Sequence, residues 1–247
     1  MMENFWNEKA KSFPTNTDVD DSPGIQILRR ENLLHKKLKI VDIGCGTGRY
    51  LHYLAPKALS ITALDISERM LEKAQKLNQE FTNIQWIQSD FNDWEPDMEY
   101  DLALAIQSPG ISSKESLEKL CRISRYGLIT KFTLREEVYA DQIRQTLNRA
   151  QSGQRQEFFE LFQFLWQWGL FPQVDHFPTD EIRSRSTDSC YEELLLHLSK
   201  YEEVTPKEKA WVKEILHSNS KHGKITLHQK RVISTLFWEN KKDPSGL

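Results

Sequence analysis

The chain has 247 residues, 38% hydrophobic and 11% aromatic, enough apolar mass for a sizeable core in one large α/β domain or two small ones. With 28% charged residues the surface suits water, and no apolar run approaches the ~20 residues needed to cross a bilayer. A net charge of −3 gives no support for a surface that tracks nucleic-acid phosphates. Three scattered cysteines (Cys45, Cys121 and Cys190) form no C-x-x-C pair, which points to a reducing, cytoplasmic setting without a metal site. The first residues carry Glu3, Asn4, Glu8 and Lys9 rather than a basic and then apolar leader, so no signal peptide is expected.

In chain order, Asn4 to Ala10 reads as a short helix, and Phe13-Pro14 to Pro23-Gly24 as an acidic, turn-rich loop. Residues 25–37 read as an amphipathic helix with Ile25, Leu28, Leu33 and Leu34 facing the core. Residues 39–43 are a short apolar strand suited to burial on both faces. The strand runs into Gly44-Cys45-Gly46-Thr47-Gly48, whose alternate glycines permit a tight turn and a close backbone approach to a ligand. A helix over 48–57 then points its free N–H groups and positive dipole end at whatever sits over that loop.

A second strand, 60–65, ends in Asp65, and a helix over 67–80 follows, with Ser67 as N-cap and Met70, Leu71, Ala74 and Leu77 as its apolar face. Strand 84–89 closes on Asp90-Phe91, and strand 100–106 follows a turn at Pro96. This βαβ alternation predicts a parallel sheet with right-handed crossovers. The loop Gln107-Ser108-Pro109-Gly110-Ile111 then falls at the carboxyl ends of the strands, where open α/β sheets bind ligands. A helix over 113–124, capped by Ser112 or Ser113, leads to strand 126–134.

Residues 135–169 turn Gln- and Arg-rich and then aromatic. Phe158, Leu161, Phe162, Leu165 and Trp168 recur at helical spacing, the pattern of a core stripe more often than of a ligand cage. Strand six is expected after Gly169-Leu170-Phe171-Pro172, with helices at about 179–199 and 206–218. The second of these opens on a Thr205-Pro206-x-Glu208 cap. Residues 224–238 read as a β-ribbon or one long final strand, with strand seven at 232–238, and 241–247 as a solvated tail.

Two ligand readings compete at the glycine loop. A dinucleotide fingerprint, G-x-G-x-x-G/A, would place its third small residue at Arg49, too large for that helix–strand contact. The sequence Val41-Asp42-Ile43-Gly44-Cys45-Gly46-Thr47-Gly48 instead resembles motif I of the class I S-adenosylmethionine-dependent methyltransferases. "D-I-S-E-R-M-L-E-K-A" from Asp65 resembles that family's second motif, and Asp90-Phe91 its adenine-binding pair. The resemblance spans roughly residues 38–134. It implies a Rossmann-like α/β fold: a seven-stranded, mostly parallel sheet with an antiparallel last strand, helices on both faces, and helical insertions after strands five and six. The expected domain covers 25–240, with insertions at about 136–169 and 179–218.

The same resemblance implies S-adenosylmethionine as cofactor and S-adenosylhomocysteine as product. Asp42 would serve the methionine amino end, and Gly44, Cys45, Gly46 and Gly48 the backbone cradle. Asp65 would take the ribose, with Ile66 and Met70 beside it, Asp90 and Phe91 the adenine, and Ile106 and Gln107 the methionine–sulfonium portion. Residues 1–24 would form a lid carrying Trp6, as in many small-molecule members of the family. Ser108-Pro109-Gly110-Ile111, Gly169-Leu170-Phe171-Pro172 and Tyr191-Glu192-Glu193 are also similar to a group of bacterial stand-alone methyltransferases.

Methyl transfer obliges no catalytic side chain, only an acceptor lone pair held about 3–3.5 Å from the methyl carbon. If a base acts, His176 and Tyr191 are the candidates. Ser108, Arg183 and Arg185 are candidate substrate contacts, the arginines for a carboxylate. Gln-Ser-Pro-Gly lacks the pattern of a D/N-P-P-Y/F loop that holds a flipped base, which argues against nucleic acid. A small-molecule acceptor is the leading expectation, in a monomer or homodimer off the membrane. An RNA or protein methyltransferase and a non-catalytic partner that binds S-adenosylmethionine are the alternatives.

Overall fold

A computed structural model describes residues 2–35, 37–96, 98–148, 154–200 and 202–240. Its sheet has seven strands in the order β3-β2-β1-β4-β5-β7-β6. The strands are β1 (Lys39–Ile43), β2 (Ser60–Asp65), β3 (Ile84–Gln88), β4 (Tyr100–Ile106), β5 (Ser124–Glu137), β6 (Gln173–Ser186) and β7 (Lys224–Glu239). The first five pair parallel, and β7 runs antiparallel between β5 and β6. Because β1 lies between β2 and β4, the chain reverses its direction of travel across the sheet there, which opens a crevice at the strands' carboxyl ends.

Alternation along the strands separates two cores. Ile40, Leu102, Leu104, Leu128 and Phe237 face one side, under α2 (Pro23–Arg30) and α3 (Arg49–Leu54). Val41, Ala103, Ala105, Ile129 and Trp238 face the other, under α5 (Lys114–Ile123) and α7 (Gln154–Gln167). In α7 it is Phe158, Leu161 and Leu165 that are buried, while Phe159 and Trp166 stay exposed, so the aromatic stripe is core. A third cluster joins α6 (Val138–Thr146), α8 (Thr187–Leu198) and α9 (Pro206–Ser218) to Ile225 and Leu227 of β7. Helices α1 (Met2–Lys9) and α4 (Glu68–Leu77) complete the described α-helices, and a 3-10 turn, Ala10–Ser12, follows α1.

Strands β1, β2 and β4 and helix α9 have the bounds that the sequence predicts, and Ser67, Ser113 and Thr205 cap α4, α5 and α9. Strand five, expected at 126–134, runs from Ser124 to Glu137 and takes in the start of the insertion expected from 136, and the helix expected over 67–80 ends at Leu77. Three further expectations need correction. The helix expected at 25–37 begins at Pro23, whose fixed φ suits the first helical position, and ends at Arg30, before Asn32 turns to φ 56°. The helix after the glycine loop stops at Leu54 instead of reaching 57.

The third correction matters most. The helix expected from 179 begins only at Thr187, because residues 179–186 continue β6. Their polar sequence resembles a helix start, but an unbroken antiparallel register from Gln173↔Phe237 to Ser186↔Lys224 holds them as strand. Pro178 is tolerated because β6 is an edge strand. The expected tail at 241–247 lies outside the described residues.

Candidate active site

A cleft of about 1540 Å³ opens at the carboxyl ends of β1, β2 and β4. The glycine loop forms its floor. Gly44 and Cys45 donate their N–H groups to the Leu64 carbonyl at 2.7 and 3.0 Å, pinning the loop to β2. Gly44, Gly46 and Gly48 all take positive φ, a region in which a Cβ is strained. Asp65, at the end of β2, accepts from Gly46 N at 2.8 Å and from Ser67 N at 2.9 Å. One carboxylate therefore fixes both the loop and the start of α4.

Asp42 is buried beside it, and burial, reinforced by the Asp65 charge, pushes its carboxyl up to about 7. Burial likewise raises the Cys45 thiol, which sits in the loop as a filler and not as an ionised nucleophile. At the end of β3, Asp90 accepts from Asn92 N and Nδ2, both at 2.9 Å, a turn that leaves the Asp90-Phe91 pair on the cleft wall. Ile66, Met70, Ile106 and Gln107 line the same cleft. Gln107 is held at φ 54° by its N–H to the Thr130 carbonyl and hydroxyl, both at 3.0 Å.

Among the expected cradle residues Gly48 is the exception. A Cβ there would meet Asn78 Nδ2 at 2.6 Å and the Ala74 Cβ at 2.9 Å. This glycine lets α3 pack against α4 and does not line the cleft. The expected bases are also displaced. His176 lies on β6 with Nδ1 2.7 Å from the Ser234 hydroxyl, and Tyr191 packs against the third hydrophobic cluster; neither lines the cleft. Strand alternation and the turn of α8 aim both side chains elsewhere.

Trp6, Ser108, Arg183 and Arg185 do line it. The Ser108 hydroxyl is buried and accepts from Gly110 N at 3.1 Å, while its carbonyl accepts from Lys131 Nζ at 2.8 Å. Ser108 thus shapes the loop. Trp6 is carried by α1, which spans the cleft. On one side Asn7 Oδ1 accepts from the Ser67 hydroxyl at 2.7 Å, and on the other Lys9 donates to Glu193 of α8 at 2.7 Å. The following residues cross the glycine loop, where Thr47 Oγ1 donates to the Pro14 carbonyl and Arg49 Nε to the Asn16 carbonyl.

The structure adds residues that the sequence did not single out. Arg135, Arg144, Arg155 and Arg231 join Arg183 and Arg185 on the cleft wall, with Lys9, Glu193 and His197. Register explains four of them: Arg135 pairs with Arg231 across β5–β7, and Thr179 with Arg231 across β6–β7. With period-2 alternation, Arg135, Arg231, Arg183 and Arg185 fall on one face of the strand extension. Glu193 is held well below the usual carboxylate range by His197, Lys9 and Arg185. Burial lowers His197. For Glu193 and His197 the local signal is their spacing of four, with Glu193 also in the Tyr191-Glu192-Glu193 stretch. Among the described residues no group of three or more His, Cys, Asp or Glu could hold a metal ion, and no helix is long and apolar enough to cross a membrane.

Residues 40–126 match a family model described as a methyltransferase domain. Over 105 residues the chain is 32% identical to the malonyl-[acyl-carrier protein] O-methyltransferase of Priestia megaterium, a match spanning 40% of this chain but only 38% of that enzyme. An uncharacterized protein of Haemophilus influenzae is 21% identical over 238 residues, 94% of this chain and 88% of its own. Among solved structures, a presumed methyltransferase of Bacillus halodurans C-125 superposes with TM-score 0.56 at 12% identity, covering 86% of this chain and 97% of its own. Precorrin 8w decarboxylase of Methanobacterium thermoautotrophicum superposes with TM-score 0.50 at 14% identity over 92% and 97%. Likenesses at these identities establish the fold, and they do not carry its chemistry.

Proposed function

We propose that this chain, a class I S-adenosylmethionine-dependent methyltransferase by its residues 40–126 and its 3-2-1-4-5-7-6 sheet, transfers a methyl group to a small-molecule acceptor held in the cleft. One observation carries the reading: Asp42, the glycine loop, Asp65 and Asp90-Phe91, from three separate strands, converge on one cleft at the sheet's switch point. The residues fit the cofactor. Asp42 is a buried carboxylate opposed by Asp65, and no Lys or Arg compensates it among the described residues. A ligand ammonium supplies the missing charge. Asp65 is oriented by two backbone N–H groups and keeps acceptor capacity for hydroxyls.

S-adenosylmethionine, when bound, supplies a methyl group on a sulfonium that is its own leaving group. The protein's part is placement and exclusion of water. Ile106, Gln107 and Ser108 shape the floor between the cofactor half and the acceptor half. Helix α1, tied to both halves, restricts solvent entry, and Trp6 extends over the cleft from it. A net charge of −3 and the absence of a flipped-base D/N-P-P-Y/F pattern at 107–110 favour a small molecule over a nucleic acid. An odd, scattered set of three free thiols supports a cytoplasmic location.

Calorimetric titration with S-adenosylmethionine, S-adenosylhomocysteine and NAD tests the cofactor assignment. Micromolar binding of the two sulfur ligands, absent for NAD and lost in Asp65→Ala, is the expected result. Failure of both sulfur ligands to bind the folded protein overturns it. Label transfer from radiolabelled S-adenosylmethionine to an acceptor panel then separates an enzyme from a binding partner.

A further inference from the structure

We infer that the acceptor carries an oxyanion, a carboxylate or a phosphate, and that two cation-rich nodes on the acceptor half hold it. The inference rests on the methyl-transfer reading and adds the chemical class of the acceptor.

The first node is built on the β5–β7 pairing. Arg135 donates Nε and Nη2 to Oε1 of Glu137 at 3.2 and 3.1 Å, and Arg231 donates Nη2 to that same oxygen at 3.1 Å. Two guanidinium groups therefore share one carboxylate oxygen. Burial alone would raise the Glu137 carboxyl, yet Arg135 and Arg231 hold it below its ordinary value, so it is ionised. The node keeps a net positive charge. Arg231 also has a buried Nε with no acceptor among the described residues. The guanidinium is thus only partly satisfied by the protein.

The second node repeats the stoichiometry with different elements. Lys9 of α1 donates to Oε1 of Glu193 at 2.7 Å, and Arg185 of β6 donates to Oε2 at 2.6 Å. Again two cations share one carboxylate. Burial lowers the neighbouring His197, Glu193 opposes that shift, and the charges of Lys9 and Arg135 add to the lowering. Arg135 belongs to the first node and Lys9 to the second, so the two fields overlap on one imidazole.

Lys9, Arg135, Arg185, Glu193 and Arg231 all line the cleft. The excess positive charge stands out on a chain whose net charge is −3. The cofactor half shows the opposite sign, with Asp42, Asp65 and Asp90. The cleft is thus polarised, acidic where an ammonium and ribose hydroxyls bind and basic where the acceptor enters. A cationic acceptor would meet repulsion there. A neutral one would leave the excess positive charge uncompensated. An oxyanion accepts charge-assisted hydrogen bonds from the cleft-lining cations and takes up that charge.

Calorimetry in saturating S-adenosylhomocysteine at constant ionic strength tests this with succinate and glycerol phosphate as probes. Succinamide and glycerol serve as neutral counterparts. At least one anion should saturate below about 10 mM, the range of a few charge-assisted hydrogen bonds, while the neutral counterparts do not. The preferred anion tells a carboxylate acceptor from a phosphate one. The double variant Arg135→Gln/Arg231→Gln should weaken that anion at least about tenfold and leave S-adenosylhomocysteine affinity unchanged. Should that variant fail to fold, Lys9→Gln/Arg185→Gln makes the same test at the other node. Equal binding of neutral and anionic probes, no anion binding at all, or anion binding unaffected by the substitutions overturns the inference, with the cofactor assignment intact. Failure of S-adenosylhomocysteine itself to bind overturns instead the reading on which the inference rests.

Discussion

The side chain of Ser108 fills the space that a Cβ on Gly44 would need: that atom would sit 2.2 Å from Ser108 Oγ and 2.9 Å from its Cβ. The first glycine of the loop is thus required by a residue of the loop after β4, and the two ligand-binding loops interlock. Gly44 also sits at φ 72°, which alone costs an alanine about 1–2 kcal/mol. Gly44→Ala should lose that and an added clash, with chemical denaturation as the readout. Adding Ser108→Gly should return the steric part and leave the backbone part. A double variant no more stable than the single one would refute the interlock.

Asp42 links the cofactor site to pH. Its carboxyl is raised from 3.8 to about 7, so the folded state binds a proton more tightly than the unfolded chain does. The stability this contributes is fully present below pH 3.8 and is lost as pH rises to about 7, on the order of 4 kcal/mol. Asp42→Asn should therefore raise Tm relative to the parent near pH 8, with the gap closing toward pH 4, while S-adenosylmethionine affinity drops. In the parent, affinity for the ammonium-bearing cofactor should fall as pH drops below about 7, where Asp42 takes up its proton. Parallel Tm–pH curves for the two proteins would count against this account.

Lys131 is buried in β5, with Nζ donating to the Ser108 carbonyl at 2.8 Å and paired to Glu157 of α7. Burial lowers its pKa, and Glu157 opposes that shift. Glu157→Gln should cost about 3–5 kcal/mol by leaving a buried ammonium without its counter-charge. Lys131→Met/Glu157→Leu should recover most of that loss in thermal denaturation. Cofactor affinity should nevertheless remain reduced, because the 107–110 loop loses its anchor. Full cofactor affinity in the double variant would show that this anchor is dispensable.

His176→Ala and Tyr191→Phe should each leave methyl transfer within about twofold of the parent, since neither side chain lines the cleft. The first should cost about 1 kcal/mol of stability through the lost bond to the Ser234 hydroxyl. A large fall in kcat for either variant, with Tm maintained, would restore it as a base.

The cofactor half was legible in the sequence because each part is short-range. The glycines must lie within five residues to turn between β1 and α3, and Asp65 must follow its own strand. A strand end and the helix start after it are adjacent both in sequence and in space. Gly48 shows the limit: its spacing fits a cradle, but its role follows from α4, whose Ala74 and Asn78 press against it. The charged stretch 179–186 carries no strand signature of its own, and only the ladder with β7 makes it strand.

Sequence by itself determined the α/β class, the succession of parallel strands up to β5 and the core stripe of α7, since local periodicity and turn chemistry encode these, and its motifs marked the acidic cofactor half. The sequence marked Arg183 and Arg185, but only the tertiary structure assembled the rest of the acceptor half around them. Arg135, Arg185 and Arg231 come from three strands, and Lys9 from the first helix. Their meeting depends on the register of an antiparallel ladder and on where α1 docks. A one-residue slip would turn Arg231 to the opposite face. Long-range register is a property of the packed sheet as a whole, and no window along the chain contains it.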